Sequence, residues 1–481
     1  MRHFNSKYIN AGALSDQDAY HIYNGLDALL THEVNSCLTR EMATTPYANG
    51  VYAHERGLLG PVMTMMRRGV LVDGAARDHA VTGPGGLNER ITKVQATLDE
   101  FTGVVWGKPL NVNSYPQLKR FFFDELAIPP IVSHKKGETK ISIDRDALEK
   151  ISKDYVRGRP FANLILRLRD LMKQRDTLTK GLDADGRWRC SFNIGGTETG
   201  RFSSSASPFR TGSNLQNIDP ALRYIFVPDP GYRLCYLDLQ GAEARAVAYL
   251  SGDEEYINAV ESSDCHTLVA AMVFGIANER SSAEQLFYRG FSYRDMSKRG
   301  QHGSNYYGTP RTMASHLKVE TKLMEDFQRA YFKRFPGIRL WHEAVARQLQ
   351  SEGWIETPFG RRRYFWNRLR DDTTLRAAIA FVPQSLIADC LNAGLYKVWY
   401  NLEPRLQLLA QCHDALVFQV PDNNEGIELI KQAKDLMTVC QDVTDIHGVT
   451  RNMVIPVDVE WGSNWSKKSA NNPNGLVKFK I

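Results

Sequence analysis

Cysteine is scarce in this 481-residue chain: there are seven, an odd number, with no CxxC pair and no regular spacing. That excludes a disulfide framework and leads us to expect reduced thiols in an intracellular compartment. No apolar run reaches the roughly 18 residues that a membrane span needs, and the N-terminus lacks a signal-peptide core. A cytoplasmic protein with no membrane partner is expected. Charge of one sign is also not in great excess: 60 Lys and Arg against 54 Asp and Glu leave a formal charge of +6. This permits a nucleic-acid partner without establishing one. The 43% hydrophobic and 24% charged residues are ordinary for a globular protein, and the length suffices for several domains or one multi-lobed enzyme.

What is present begins with the stretch 231–245. Residues of high strand propensity run from Tyr232 to Leu237, an acid follows at Asp238, and Glu243, Ala244 and Arg245 turn helical. A carboxylate on a rigid strand tip can hold a hard cation such as Mg²⁺, which prefers oxygen ligands and keeps waters and substrate phosphates in its shell. A second acid, Asp414, sits between two apolar runs in the stretch 408–421, which reads as a β-hairpin with His413 and Asp414 at its tip. Two acids on neighbouring strand tips suit two-metal phosphoryl transfer, although each alone reads more readily as a solvated loop carboxylate. Between them, Ser292 and Asp295 form a capping box and Gly308 and Pro310 a stop, which predicts a helix. Arg294, Lys298, His302 and Tyr306 recur every fourth residue and drift only about 40° per step, so they share one face. Two cations followed by two rings could clamp a triphosphate and stack a base, or form a solvated basic face. Gly300 and Gly303 inside this helix imply a close approach to its backbone.

In this order and at these separations the three stretches resemble motifs A, B and C of the family A DNA polymerases, the group of bacterial DNA polymerase I and many phage replicases. Asp238, Glu243 and Arg245 match motif A; Arg294, Lys298 and Tyr306 match motif B, with His302 at its aromatic position; His413 and Asp414 match the His-Asp-Glu of motif C, with Ala415 in the last place. The resemblance implies an α/β (α+β) right-hand fold with an antiparallel palm sheet and mostly helical thumb and fingers. The expected boundaries are 1–50 for the remnant of a 3′–5′ exonuclease-like domain, 51–184 for thumb and linking helices, and 185–254 for the first part of the palm. Fingers follow at 255–370 and the second part of the palm at 371–481.

The resemblance also implies roles. Asp238, Asp414 and the carbonyl of Leu239 would hold two Mg²⁺ ions, with Mn²⁺ as a substitute, and Lys298 would act in catalysis beside Asp238 and Asp414. Arg294, Lys298, His302, Tyr306, Glu243, Gln240 and His266 would surround the nucleotide, Glu243 excluding a 2′-hydroxyl; His266 reads equally as a core histidine. Arg201 in a Thr-Gly-Arg motif, Asn214, Gln216 and Asn217 in Asn-Leu-Gln-Asn, Arg361, Arg376, Gln384 and His413 would contact DNA. Ala380 stands where the family often has Asn. Near the N-terminus a helix is expected over 15–43, where Tyr23 and Asp27 resemble the last exonuclease motif; Asp27 reads equally as an exposed carboxylate, and the other exonuclease acids find no room upstream. The polar stretch 134–139 is expected to be a flexible loop.

The expected activity is therefore template-directed addition of deoxynucleotides to a primer, with primer–template DNA and deoxynucleoside triphosphates as partners and a separate exonuclease chain or processivity factor as a further one. The divergent motifs point to a phage-type member, which would act in the host cytoplasm. A single-subunit RNA polymerase and a non-catalytic primer–template-binding accessory protein are the alternatives.

Overall fold

A five-stranded antiparallel sheet carries both candidate acids. In the computed structural model, which describes residues 15–135, 138–262, 264–288 and 290–480, its strands lie in the order Gln407–Cys412, Ala415–Pro421, Tyr232–Leu239, Val457–Gly462 and Val477–Lys478. Ala415–Pro421 is buried from Ala415 to Val420, polar Gln419 included, the continuous burial of a strand covered on both faces. Tyr232–Leu239 instead alternates at its end: Leu237 and Leu239 are buried while Tyr236 and Asp238 are half-buried. This period of two turns the acid out of the core. The helix Asn424–Met437, capped by the Asn423 side chain, covers the sheet with Leu429, Ile430, Ala433 and Met437.

The chain folds into two compact units. One, with this sheet, comprises Gly60–Ala242, Cys390–Cys440 and the segment from Val454 onward; the other comprises the segment ending at Leu59, Glu243–Asp389 and Gln441–Met453. In the first, the expected helical stretch appears as Gly74–Thr82, Leu87–Trp106, Arg145–Asp154 and Arg159–Leu178. The expected loop at 134–139 is corrected: Val132–Lys135 and Glu138–Ile141 pair as an antiparallel hairpin, while Lys136 and Gly137 lie outside the described residues.

In the second unit the helix Tyr293–Asn305 starts as its sequence dictates, with Ser292 Oγ accepting from Asp295 N at 3.1 Å. It stops three residues before Gly308, with Tyr306 as its cap. Its two glycines are explained inside the protein. A Cβ at Gly300 would lie 2.5 Å from the Phe327 ring, and one at Gly303 2.9 Å from Met313. The close approach read from sequence is thus made by neighbouring helices, Thr321–Arg334 and Pro310–Leu317. The helix end is fixed by Asn305, whose Nδ2 donates to Tyr256 OH at 2.8 Å and whose Oδ1 accepts from Tyr331 OH at 2.9 Å.

The helix Asp16–Ala43 forms as expected, with Ser15 as its cap and Asp27 exposed. Among the described residues one helix, Asp372–Leu402, is long and apolar enough to cross a membrane by length and composition, but 83% of its apolar window is buried inside the protein, as in a core helix.

Candidate active site

Asp238 and Asp414 are brought together at adjacent strand ends. Leu239 N donates to the Asp414 carbonyl at 3.1 Å, and Ala415 pairs directly with Asp238. Two backbone features shape this corner: His413 takes φ +55° at the hairpin tip, and Gly241 takes φ +60° where the strand passes into the helix Ala242–Ser251. The second is the left-handed region in which glycine meets no penalty.

Burial, followed by the negative charges of Asp414, Asp458 and Glu460, pushes the Asp238 carboxyl up to about 6. Such crowding of like charges is relieved by a cation. Among the described residues no three His, Cys, Asp or Glu side chains cluster as a closed metal site. The donor set fits Mg²⁺, which is commonly bound by one or two carboxylates, waters and phosphates rather than by an all-protein cage.

Arg201 also reaches this corner: its Nη2 lies 3.4 Å from Asp414 Oδ1. Beneath it runs a chain of amides. Gln216 Nε2 donates to Gln411 Oε1 at 3.3 Å, Gln411 lies 3.5 Å from Asn392, and Asn392 Nδ2 donates to the Gly200 carbonyl at 3.2 Å. Asn214 is tied to Ser204 and accepts from Gln216 N at 2.9 Å, whereas Asn217 and His413 are exposed. On the other flank a cleft of about 840 Å³ opens beside Asp238, walled among others by Arg223, Tyr236, Glu460, Trp465 and Lys467.

In the second unit the helix face carries Arg294, Lys298, His302 and Tyr306, with Lys298 and His302 exposed and the other two half-buried. Arg294 is anchored by Asp264, at 3.1 Å. Burial pushes the Asp264 carboxyl up, but hydrogen bonds from Arg294 and Thr267 more than reverse this, leaving it well below the usual range. His302 Nδ1 lies 3.4 Å from Glu243 Oε2, and its ring meets Tyr306 edge-on at 4.7 Å. His266 Nδ1 contacts Gln301 Oε1 at 2.8 Å, and burial lowers its pKa.

Four expected contacts are less simply placed. Arg361 is buried, with Nη2 on Asp389 Oδ1 at 2.7 Å and Nη1 on Glu55 Oε1 at 2.6 Å. Its guanidinium is engaged inside the unit instead of being presented to a ligand. Arg376 and Gln384 are half-buried on Asp372–Leu402, and Gln240, in the sheet unit, is exposed.

Sequence reading gave no role to Asp264, Asp389, Asn392, Gln411, Asp458 or Glu460. For Asp458 and Glu460 a signal existed: acids alternate with Val457, Val459 and Trp461 in a strand pattern. For the others, only tertiary contact reveals the partner.

Sheet, acid pair and basic helix define the right-hand polymerase class of fold. Among solved structures, the POL domain of Pol1 from M. smegmatis, in complex with DNA primer-template and dNTP, is similar with a TM-score of 0.75 and 26% identity over 92% of this chain and 75% of that one. The family model for DNA polymerase family A matches residues 85–467, and the chain belongs to that family. Relatives include the thermostable DNA polymerase I of Thermus filiformis, 33% identical over 68% of this chain and 40% of its own length. DNA polymerase I of Mycobacterium tuberculosis (strain ATCC 25618 / H37Rv) is 33% identical over 69% and 37%. The chain thus spans about two fifths of the length of the curated relatives it matches. These relatives are bacterial, and a phage-type membership is not shown by them.

Proposed function

We propose that this chain performs template-directed DNA synthesis, adding deoxynucleotides to a primer 3′-hydroxyl with release of pyrophosphate. The observation that supports this best is the placement of Asp238 and Asp414 on adjacent strand ends in a member of DNA polymerase family A. Members of the family use divalent metal ions. In this reading Asp238, Asp414 and the Leu239 carbonyl hold two Mg²⁺, or Mn²⁺ in its place. When bound, such ions lower the pKa of the primer hydroxyl and offset phosphate charge.

The chain's own residues do the rest. Arg294, kept in place by Asp264, and Lys298 donate to the triphosphate and neutralise charge on the departing pyrophosphate. Tyr306 and His302 form the ring pair beside the new nucleotide, and Glu243 occupies the space of a 2′-hydroxyl. Arg201, Asn214, Gln216 and Asn217 recognise primer–template by features common to every base pair, with Arg376, Gln384 and His413 as further contacts. In the same reading residues 51–184 are thumb and linking helices, 185–254 and 371–481 palm, and 255–370 fingers. The compartment is the cytoplasm, where the template lies.

Primer extension with deoxy- and ribonucleotides, in wild type and Glu243→Ala, tests the assignment. Strong preference for deoxynucleotides, relaxed in the variant, supports a DNA polymerase gated by Glu243. Equal use of both by the wild type supports the RNA polymerase alternative.

A further inference from the structure

We propose that Asp458 supplies, from the strand on the far side of Asp238, the third carboxylate that Ala415 withholds. The proposal rests on the two-ion reading above. Ala415, Asp238 and Asp458 stand in one row across three adjacent antiparallel strands. Residues directly opposite in such strands share a face, with Cβ atoms about 5 Å apart. In the motif pattern an acid follows Asp414; here the fully buried methyl of Ala415 takes that place. The row that lacks an acid on one flank carries one on the other. Because no three acids cluster at direct-ligand spacing among the described residues, Asp458 acts on the hydration shell of the cation instead of touching the ion. Mg²⁺ keeps several waters, so such a partner matters to it.

A second observation, independent of the acids' number, points to a hydrated ligand beside Asp238, the middle acid of that row. In the wall of the cleft beside Asp238, the Nε1–H of Trp465, a residue 2% exposed, has no acceptor among the described residues, and the buried Oε2 of Glu460 has no donor. Water can accept from the first and donate to the second. Two lysines complete the arrangement: Lys478 Nζ lies 3.5 Å from Asp458, and Lys467 Nζ 3.3 Å from Glu460. Lys478 lies beyond residue 467, where the family match ends. Its exposed ion pair is weak and competes with a divalent cation for Asp458.

The test is Mn²⁺ binding by the full chain without DNA or nucleotide, read from the electron paramagnetic resonance signal of free ion. Asp458→Asn is expected to weaken binding roughly ten-fold, Asp458→Glu to keep most of it, and Lys478→Gln to tighten it. Circular dichroism melting checks that each variant folds; if Asp458→Asn does not, the Lys478→Gln arm decides by tightening or not. Unchanged binding in Asp458→Asn, with binding lost in Asp238→Asn, overturns the proposal and leaves the two-ion reading standing. Unchanged binding in Asp238→Asn overturns that reading itself.

Discussion

Arg201 Nη2 lies 3.4 Å from Asp414 Oδ1, so the arginine of the Thr-Gly-Arg motif touches an acid of the proposed metal pair as well as being a candidate for DNA contact. A cation there holds the carboxylate in one orientation. Arg201→Ala is therefore expected to slow single-turnover incorporation roughly hundred-fold, the scale of losing one preorganised charge at a reacting centre. Arg201→Lys should recover part of the loss. If primer–template affinity falls and the incorporation rate at saturating DNA does not, the contact with Asp414 has no catalytic consequence.

Arg361 is expected to behave as a structural residue. Its side chain bridges buried Asp389 and Glu55 within one unit, and removing one partner of a buried ion pair costs about 3–5 kcal/mol because the other charge is left uncompensated. Arg361→Ala should lower the urea midpoint strongly. A stable variant that only loses DNA affinity would restore the direct-contact role read from sequence.

The glycines of the helix Tyr293–Asn305 should differ in their tolerance. Alanine gains about 1 kcal/mol of helix propensity at either site. At Gly300 the new methyl meets the Phe327 ring at 2.5 Å, and overpacking of about 1–3 kcal/mol outweighs that gain. At Gly303 the neighbour is the flexible Met313 side chain at 2.9 Å. Gly300→Ala should lower Tm and Gly303→Ala leave it nearly unchanged; the reverse order would contradict the packing account.

His342 gives an acid-side prediction. Its Nε2 lies 2.8 Å from the Asn305 carbonyl, and burial pulls its pKa down from 6.5 to about 4, the carbonyl bond opposing and Arg339 adding to the shift. Between those values the unfolded chain binds more protons than the folded one. The histidine's contribution to stability is therefore full above about pH 6.5 and is lost as pH falls toward 4. Tm measured against pH should fall less steeply across this window in His342→Gln than in the wild type. Parallel curves would show that His342 is not the group being protonated.

Local order carried much of what could be read without a structure. The alternation ending at Asp238, the hairpin tip at Asp414 and the cap at Ser292 are set by neighbours in sequence, and the structure forms each of them. What escaped depends on contacts between distant segments. The stretch 134–139 looked like a loop because its polar residues hide the pairing of Val132–Lys135 with Glu138–Ile141. Gly300 and Gly303 announced a close approach, but Phe327 and Met313 could not be identified as its source from spacing alone. Likewise Arg361 resembles a surface cation until Asp389 and Glu55 fold around it, and Asp458 gains meaning only from its register opposite Asp238.

The most direct test of the account is extension of a labelled primer on a DNA template with Mg²⁺ and deoxynucleotides, run for wild type, Asp238→Asn and Asp414→Asn. Extension by the wild type that vanishes in both variants, with primer–template binding retained, is the predicted result. Undiminished extension in either variant would contradict the assignment of both acids to the metal pair, and no extension by a wild type that binds primer–template would contradict the polymerase function itself.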